Sequence, residues 1–327
     1  MYVSERSLVG YLMCALMMAA LAAPPVLHAQ GVGQGRAVLV TGASSGIGLR
    51  MTEVLAESGF HVYAGARKAE DLARLDDMDN VQSVRLDVNV HDDIDAAVRF
   101  VEEQGRGLHG LINNAGVAVI GPLIEMTEED MAFQMDVNVY GPYRVTKAFA
   151  PLLMESQGRV MTTGSISGIL SGPFLGAYSM SKHAVEAFTD ALAAEMSRFG
   201  VAVSVVEPGN YNSQIGTTLV ERMRDNEYDP DSSMFAEEMR RYMERMTQYS
   251  EDPEPYAVAE AALDFLTSSA PQRRYMVVPT QGQAEVTIRK AIQELVELNQ
   301  DHQFSYTRDA LIEMVDEALA RLEGGNE

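Results

Sequence analysis

Cysteine is all but absent from this sequence, basic residues are scarce, and the one long apolar run is confined to the start of the chain. The single cysteine, Cys14, lies within that run, Leu8 to Ala23, which has Arg6 before it and Pro24-Pro25 after it. A nearly uncharged stretch with no polar face, ahead of the first strand, reads as a secretory signal, and Leu27-His28-Ala29 offers a small-residue cleavage site before Gln30. Its length also suits an uncleaved membrane anchor. Residues 1–29 are therefore expected to export the protein or to anchor it in a membrane, whereas a start codon assigned too early would leave it in the cytoplasm. Once the segment is cleaved no cysteine remains, which excludes disulfides, thiol catalysis and cysteine-ligated metal. No metal site is expected.

Lys and Arg number 25 against 47 Asp and Glu, a formal net charge of −22. A field of that sign repels DNA, RNA and anionic lipid at long range, so no nucleic-acid partner is expected. An anionic small molecule has to be held against this field, by backbone N–H groups and a few placed cations.

From Arg36 onward short β-branched runs alternate with longer helical patterns. The strand candidates are Ala37–Val40, His61–Ala64, Val81–Leu86, Leu108–Ile112, Arg159–Thr162, Val201–Val206 and Tyr275–Val278. Between them, helical patterns cover Ile47–Glu57, His91–Gln104, a long stretch from about Glu129 to Ser156, and Ala177–Arg198. This alternation predicts an α/β fold, a doubly wound parallel sheet of about seven strands with helices on both faces and a ligand crevice at the strands' carboxyl ends. No linker divides residues 36–280, and residues 30–282 are expected to form one domain. Residues 283–327 carry two amphipathic helical patterns, the second with Leu311, Val315, Ala318 and Leu322 on one face, and are expected to pack on the core or a partner.

The first strand runs into Thr41-Gly42-Ala43-Ser44-Ser45-Gly46-Ile47-Gly48 and then into a helix. Glycines so spaced permit a tight turn, close approach of a pyrophosphate to the backbone, and close helix–strand packing, while the helix start presents N–H donors to the anion. Further on, Tyr178 and Lys182 stand four residues apart in a predicted helix and share a face. A phenol ordinarily titrates near ~10, and a neighbouring ammonium stabilises its phenolate, so such a pair suits proton transfer near neutrality.

These motifs, with Asn113-Asn114-Ala115-Gly116 between them, resemble those of the short-chain dehydrogenase/reductase family over about residues 36 to 280. The resemblance implies a Rossmann-like fold and hydride transfer to or from a nicotinamide dinucleotide. It implies that Gly42, Ser44, Ser45, Gly46, Ile47 and Gly48 hold the pyrophosphate. It places Asp87 near the adenine amino group, Val88 along the adenine ring, and Asn114, Ala115 and Gly116 against the adenine ribose and the neighbouring sheet. Tyr178 becomes the general acid/base, Lys182 also binds the nicotinamide ribose, Ser165 holds the substrate oxygen, and Asn138 supports a water relay to the lysine. Pro208 and Gly209 contact the nicotinamide amide, as does Ser213, which stands where the family usually has threonine. His183 is turned to another helix face and is read as structural. The second strand ends in Tyr63-Ala64-Gly65-Ala66-Arg67-Lys68, with no carboxylate to repel a 2′-phosphate and with Arg67 placed to pair with it, so NADP(H) is preferred while NAD(H) stays open. A solvated helix start is the other reading of Arg67 and Lys68.

Residues 210–253 include a Met- and Tyr-rich stretch with Met234, Phe235, Met239, Tyr242, Met243, Met246 and Tyr249. It resembles the substrate lids of hydroxysteroid and retinol dehydrogenases, implying a lipophilic alcohol or carbonyl substrate; the same methionines equally suit burial of a helical face against the sheet or a second subunit. By the same resemblance a homodimer or homotetramer is expected, and membrane association runs through the N-terminus. The alternative reading is a non-catalytic nucleotide-binding or scaffold protein that keeps the fold, which intact Asn138, Ser165, Tyr178 and Lys182 argue against.

Overall fold

A computed structural model describes residues 31–246 and 252–324; the expected signal or anchor, and Tyr249 of the Met-rich stretch, lie outside the described residues. In chain order the elements are β1 (Ala37–Thr41), α1 (Gly46–Glu57), β2 (His61–Ala66), α2 (Ala69–Asp76), β3 (Val81–Arg85), α3 (His91–Glu103) and β4 (Gly110–Asn113). Then follow α4 (Glu128–Met135), α5 (Gly141–Ser156), β5 (Arg159–Thr163), α6 (Gly176–Met196), β6 (Ala202–Pro208), α7 (Ile215–Asp225) and α8 (Ala236–Met246). The chain continues through α9 (Tyr256–Thr267), β7 (Arg274–Val277), α10 (Gln281–Leu298) and α11 (Arg308–Gly324).

The strands form one 7-stranded sheet in the order β3-β2-β1-β4-β5-β6-β7, every neighbouring pair parallel. The inner strands are short and mostly apolar because both of their faces are covered, whereas the edge strands carry polar residues, Gln82, Ser83 and Arg85 in β3 and Arg274 in β7. In β1, Val38 and Val40 join a core layer with Met51 and Leu55 of α1 and Val258, Ala262 and Phe265 of α9. Ala37 and Leu39 point the other way, into a layer with Ile94 and Val101 of α3, Phe149 and Leu153 of α5, and Ala193 and Met196 of α6. Strand order reverses at β1–β4, which opens a crevice at the carboxyl ends of these two strands.

The expected α/β architecture is therefore present, with differences that have physical causes. The long helix expected from Glu129 to Ser156 is interrupted by a π turn at Asp136–Tyr140. Pro142, in the first turn of α5, has no N–H to give the carbonyl of Asn138 four residues back, so a regular α-helical ladder cannot run through this point. The expected helices include neither α2 nor α9, although α9 buries Val258, Ala259, Ala262, Phe265 and Leu266 at helical spacing and exposes Glu260 and Asp264 on its other side. The C-terminal pair keeps most of its apolar residues off the core. Thr287 of α10 is buried, but Ile288, Ile292, Leu295 and Leu298, and in α11 Ile312, Val315, Leu319 and Leu322, are exposed. Among the described residues no helix is long and apolar enough to cross a membrane.

Candidate active site

The glycine turn closes between β1 and α1. Gly42 has a φ of +64°, and a Cβ on it would stand 2.9 Å from the Cα of Ala115, so the turn and the end of β4 touch backbone to backbone. Gly48 is pressed against the Gly42 carbonyl and the Asn114 side-chain amide, where no methyl fits. Helices α2, α3 and α4 each carry acids in their first turn, whereas α1 carries none. The start of α1 thus keeps its partial positive charge unopposed, as an anion site requires.

At the outer rim of this turn, Arg67 follows β2 directly; it is largely exposed, and its Nη1 lies 3.8 Å from Asp87 Oδ2. Sequence reasoning missed Arg74, one and a half turns into α2, whose Nη2 donates to the Ser44 carbonyl at 2.5 Å and to Asp71 Oδ1 at 2.9 Å. Asp87 Oδ1 accepts from the backbone of Asn89 at 3.0 Å. Val88 is buried and lies over Gly141 at the head of α5.

Asn114 binds strand ends to one another. Its Nδ2 donates to the carbonyls of Thr41 at 3.1 Å and Gly42 at 3.2 Å, and its Oδ1 accepts from Thr163 Oγ1 at 3.3 Å. Thr41 Oγ1 in turn accepts from the backbone of Asn114 and Ala115 at 2.9 and 3.0 Å. Gly116 follows on the exposed side of this junction. Asn138, buried in the π turn, exchanges two 2.9 Å bonds with the backbone of Val117 and donates to Ser181 Oγ at 3.1 Å. Its side chain is thus fully committed to joining the chain after β4 to α6.

Lys182 is buried on α6 and donates through Nζ to the Thr163 carbonyl, 2.8 Å away at the end of β5. The same Nζ lies 5.6 Å from the centre of the half-buried Tyr178 ring. Burial pushes the Lys182 ammonium down to about 8, opposed by the charge of Glu186. Ser165, two residues past Thr163, caps the short 3-10 turn Ile166–Gly168 by accepting from Ser167 N at 3.1 Å. The structure therefore gathers Asn138, Ser165, Tyr178 and Lys182 around the carboxyl ends of β4 and β5. His183 is exposed, with Nδ1 2.8 Å from the Ser179 carbonyl, and takes no part.

Beyond β6, the turn at Pro208 and Gly209 is propped from an unexpected direction. Gly209 N donates to the Val277 carbonyl at 2.8 Å, and the Gln283 side chain of α10 packs on Gly209 and accepts from Asn210 N at 3.0 Å. Ser213 abuts Gly46, a Cβ on which would meet Ser213 Cβ at 3.1 Å. The Met-rich stretch folds as α7 and α8 over a separate apolar cluster in which Met239, Met223 and Leu219 are buried with Ile120, against Phe174 and Leu175. Met234 remains exposed. Between α7 and the chain after β4 lies a cavity of about 390 Å³ walled by Ile120, Met126, Leu219 and Met223, with Glu125 and Arg222 at its polar side. Glu125 is spent on Ser233 Oγ and Met234 N, and Arg222 on Asp130. Ser165 and Tyr178 are not among its walls; the strap between them adjoins it, the Phe174 carbonyl accepting from Gly121 N at 2.9 Å.

A family model described as short chain dehydrogenase matches residues 36–224. The "Uncharacterized oxidoreductase YbbO" of Escherichia coli is 39% identical over 176 residues, which span 53% of this chain and 65% of that protein. The mitochondrial D-beta-hydroxybutyrate dehydrogenase of Bos taurus is 33% identical over 263 residues, 73% of this chain and 76% of the relative. Among solved structures, a short chain dehydrogenase/reductase from Burkholderia phymatum in complex with NAD superposes with a TM-score of 0.69 at 26% identity, covering 84% of this chain and 99% of the other.

Proposed function

The chain belongs to the short-chain dehydrogenase/reductase family, and from that premise we propose that it is an NADP(H)-dependent oxidoreductase interconverting a secondary alcohol and a ketone or aldehyde on a lipophilic substrate. The observation that carries the reading is the buried Lys182 ammonium, fixed on the Thr163 carbonyl beside the Tyr178 ring, at the end of the sheet where the glycine turn lies. The protein's own geometry fits a dinucleotide. Gly42 and Gly48 let the turn between β1 and α1 close tightly on the end of β4, the start of α1 lacks acids, and the end of β2 carries Arg67 in place of a carboxylate. When bound, the nicotinamide supplies or accepts the hydride.

The remaining work falls to side chains. Tyr178 exchanges a proton with the substrate oxygen, and Lys182, held as an ammonium at neutral pH, favours the phenolate form that accepts it. Ser165 holds that oxygen by hydrogen bonding and fixes the carbonyl carbon for attack. Because the Asn138 side chain is committed to Val117 and Ser181, any water relay through this residue runs by its main-chain carbonyl, which Pro142 deprives of its α-helical donor. The cavity below α7 has apolar walls and carries three carboxylates, Glu125, Glu129 and Asp130, against one cation, Arg222, which Asp130 already holds, so it suits an uncharged substrate better than a carboxylate.

The test is NADPH-dependent reduction of a panel of apolar ketones, with Tyr178→Phe as the comparison. The expected result is retained NADPH binding with a turnover loss of at least about 100-fold. Equal turnover by the two proteins overturns the role of Tyr178; NADPH binding by both with no turnover of any carbonyl favours the non-catalytic reading.

A further inference from the structure

Two carboxyl groups that no step above uses lie directly behind the proton-transfer pair. Glu186 stands one helical turn beyond Lys182 on α6, as Lys182 stands one turn beyond Tyr178, so all three share a face. The Glu186 side chain is 13% exposed and that of Glu207, on β6, only 3%. Glu186 presses on the backbone that carries Ser165. A Cβ on Gly164 would lie 3.1 Å from Glu186 Oε1, and one on Gly168 3.0 Å from it.

The charged groups facing the pair are Lys182 and Asp190 on α6 and Arg274 on β7; the segment from Gly164 to Gly168 brings none. Arg274 Nε lies 3.3 Å from Glu186 Oε2 and 3.8 Å from Glu207 Oε1, while its Nη2 is drawn 2.7 Å from Asp190. Arg273 reaches only Asp190, at 3.0 Å. One guanidinium shared by three acids cannot compensate two buried carboxylates. Glu186 Oε1 and Oε2 and Glu207 Oε1 have no hydrogen-bond donor while both groups are ionised, and a proton held between the two supplies one. Consistent with this, burial and then the charge of Glu186 push Glu207 up to about 8, and burial raises Glu186 as well, against the pull of Arg274.

We propose that Glu186 and Glu207 are positioning residues that share one proton at neutral pH, and that the single negative charge left on the pair keeps Lys182 an ammonium and braces the Ser165 segment. The inference rests on the reading of Lys182 given above. It assigns the pair a sign. Removing the negative charge makes Lys182 release its proton at lower pH, so the alkaline limb of turnover moves down. Replacing Glu207 leaves that single charge in place at neutral pH, now on Glu186, and removes only the second charge that the pair gains at higher pH.

The experiment follows Lys182 directly by ¹³C NMR of labelled lysine, assigned with Lys182→Arg, and the pH profile of turnover in parallel, in wild type, Glu186→Gln and Glu207→Gln. For Glu186→Gln the carboxyl one helical turn from Lys182 is gone and any charge left sits on β6 at Glu207, so the Lys182 midpoint and the alkaline limb are expected to fall together by about one pH unit. For Glu207→Gln the profile should overlay wild type near pH 7 and fall earlier only beyond about 8, where Glu207 would have ionised. An unmoved Lys182 midpoint, or a uniform loss of rate at all pH values, overturns the proposal. Should Glu186→Gln fail to fold, Glu207→Gln decides alone: a lowered Lys182 midpoint supports the pair and an unchanged one removes it. A midpoint that shifts while turnover ignores it supports the pair and refutes the role of Lys182 in proton transfer.

Discussion

Arg67 and Arg74 reach the rim of the glycine turn from the two ends of one short stretch, and they are not equivalent. Arg67 is loosely held, 3.8 Å from Asp87 and largely exposed, so it can turn toward a 2′-phosphate at little cost. Arg74 also supports the turn itself through the Ser44 carbonyl. Arg67→Ala is therefore expected to weaken NADPH binding about tenfold while leaving NADH binding unchanged. Arg74→Ala should weaken both. Calorimetric titration with the two cofactors separates the cases, and equal losses for both in Arg67→Ala would remove the NADP(H) preference. Only the first arginine was readable in the sequence, because it adjoins a strand end; Arg74 reaches Ser44 through the way α2 packs back, which no local pattern encodes. Glu186 and Glu207 were unreadable for a similar reason, since their partner Arg274 comes from β7, far along the chain.

Among the elements, the turn between β1 and α1 makes the sharpest demand on sequence. A methyl at Gly48 has to displace either the Gly42 carbonyl or the Asn114 amide that joins the ends of β1 and β5. Gly48→Ala is expected to cost about 1–3 kcal/mol of stability and to weaken cofactor binding. Gly282→Ala, in α10 with open space around it, should be neutral or stabilising by about 0.5–1 kcal/mol. Thermal melts of both variants check the contrast, and similar melting temperatures would mean that the close packing at Gly48 carries no weight. The strands were legible as short β-branched runs between longer helical patterns, and α1, α3 and α6 because their faces alternate. The π turn was not, since its cause is the coincidence of Pro142 with Asn138 and not a periodicity. The buried stripe of α9 packs on α1 and on β5, β6 and β7, partners that no local pattern names.

For the whole molecule, the C-terminal helices divide into an anchored start and a projecting remainder. Gln283 and Thr287 touch the body, whereas most apolar residues from Ile288 onward are solvent-exposed. A chain ending at Asn299 should therefore keep its cofactor affinity and a melting temperature within about 2 °C of the full chain, since little buried surface is lost. A chain ending at Thr280 loses the Gln283 prop under Gly209 and Asn210 and should bind cofactor more weakly. If both truncations behave alike, the prop contributes nothing. The amphipathic pattern of α11 was plain in the sequence, but a pattern states only that a face can be covered and not that this chain covers it.

The prop at Gln283 also offers a place from which to watch the site by light. Glu285 lies just beyond it on α10 and is about half exposed, so a dye there sits near the Pro208–Gly209 turn without entering the crevice. Since Cys14 is the sole cysteine, Glu285→Cys in a Cys14→Ser background has a single thiol to label. Fluorescence from that position would then report filling of the crevice in a protein whose substrate need not be known beforehand.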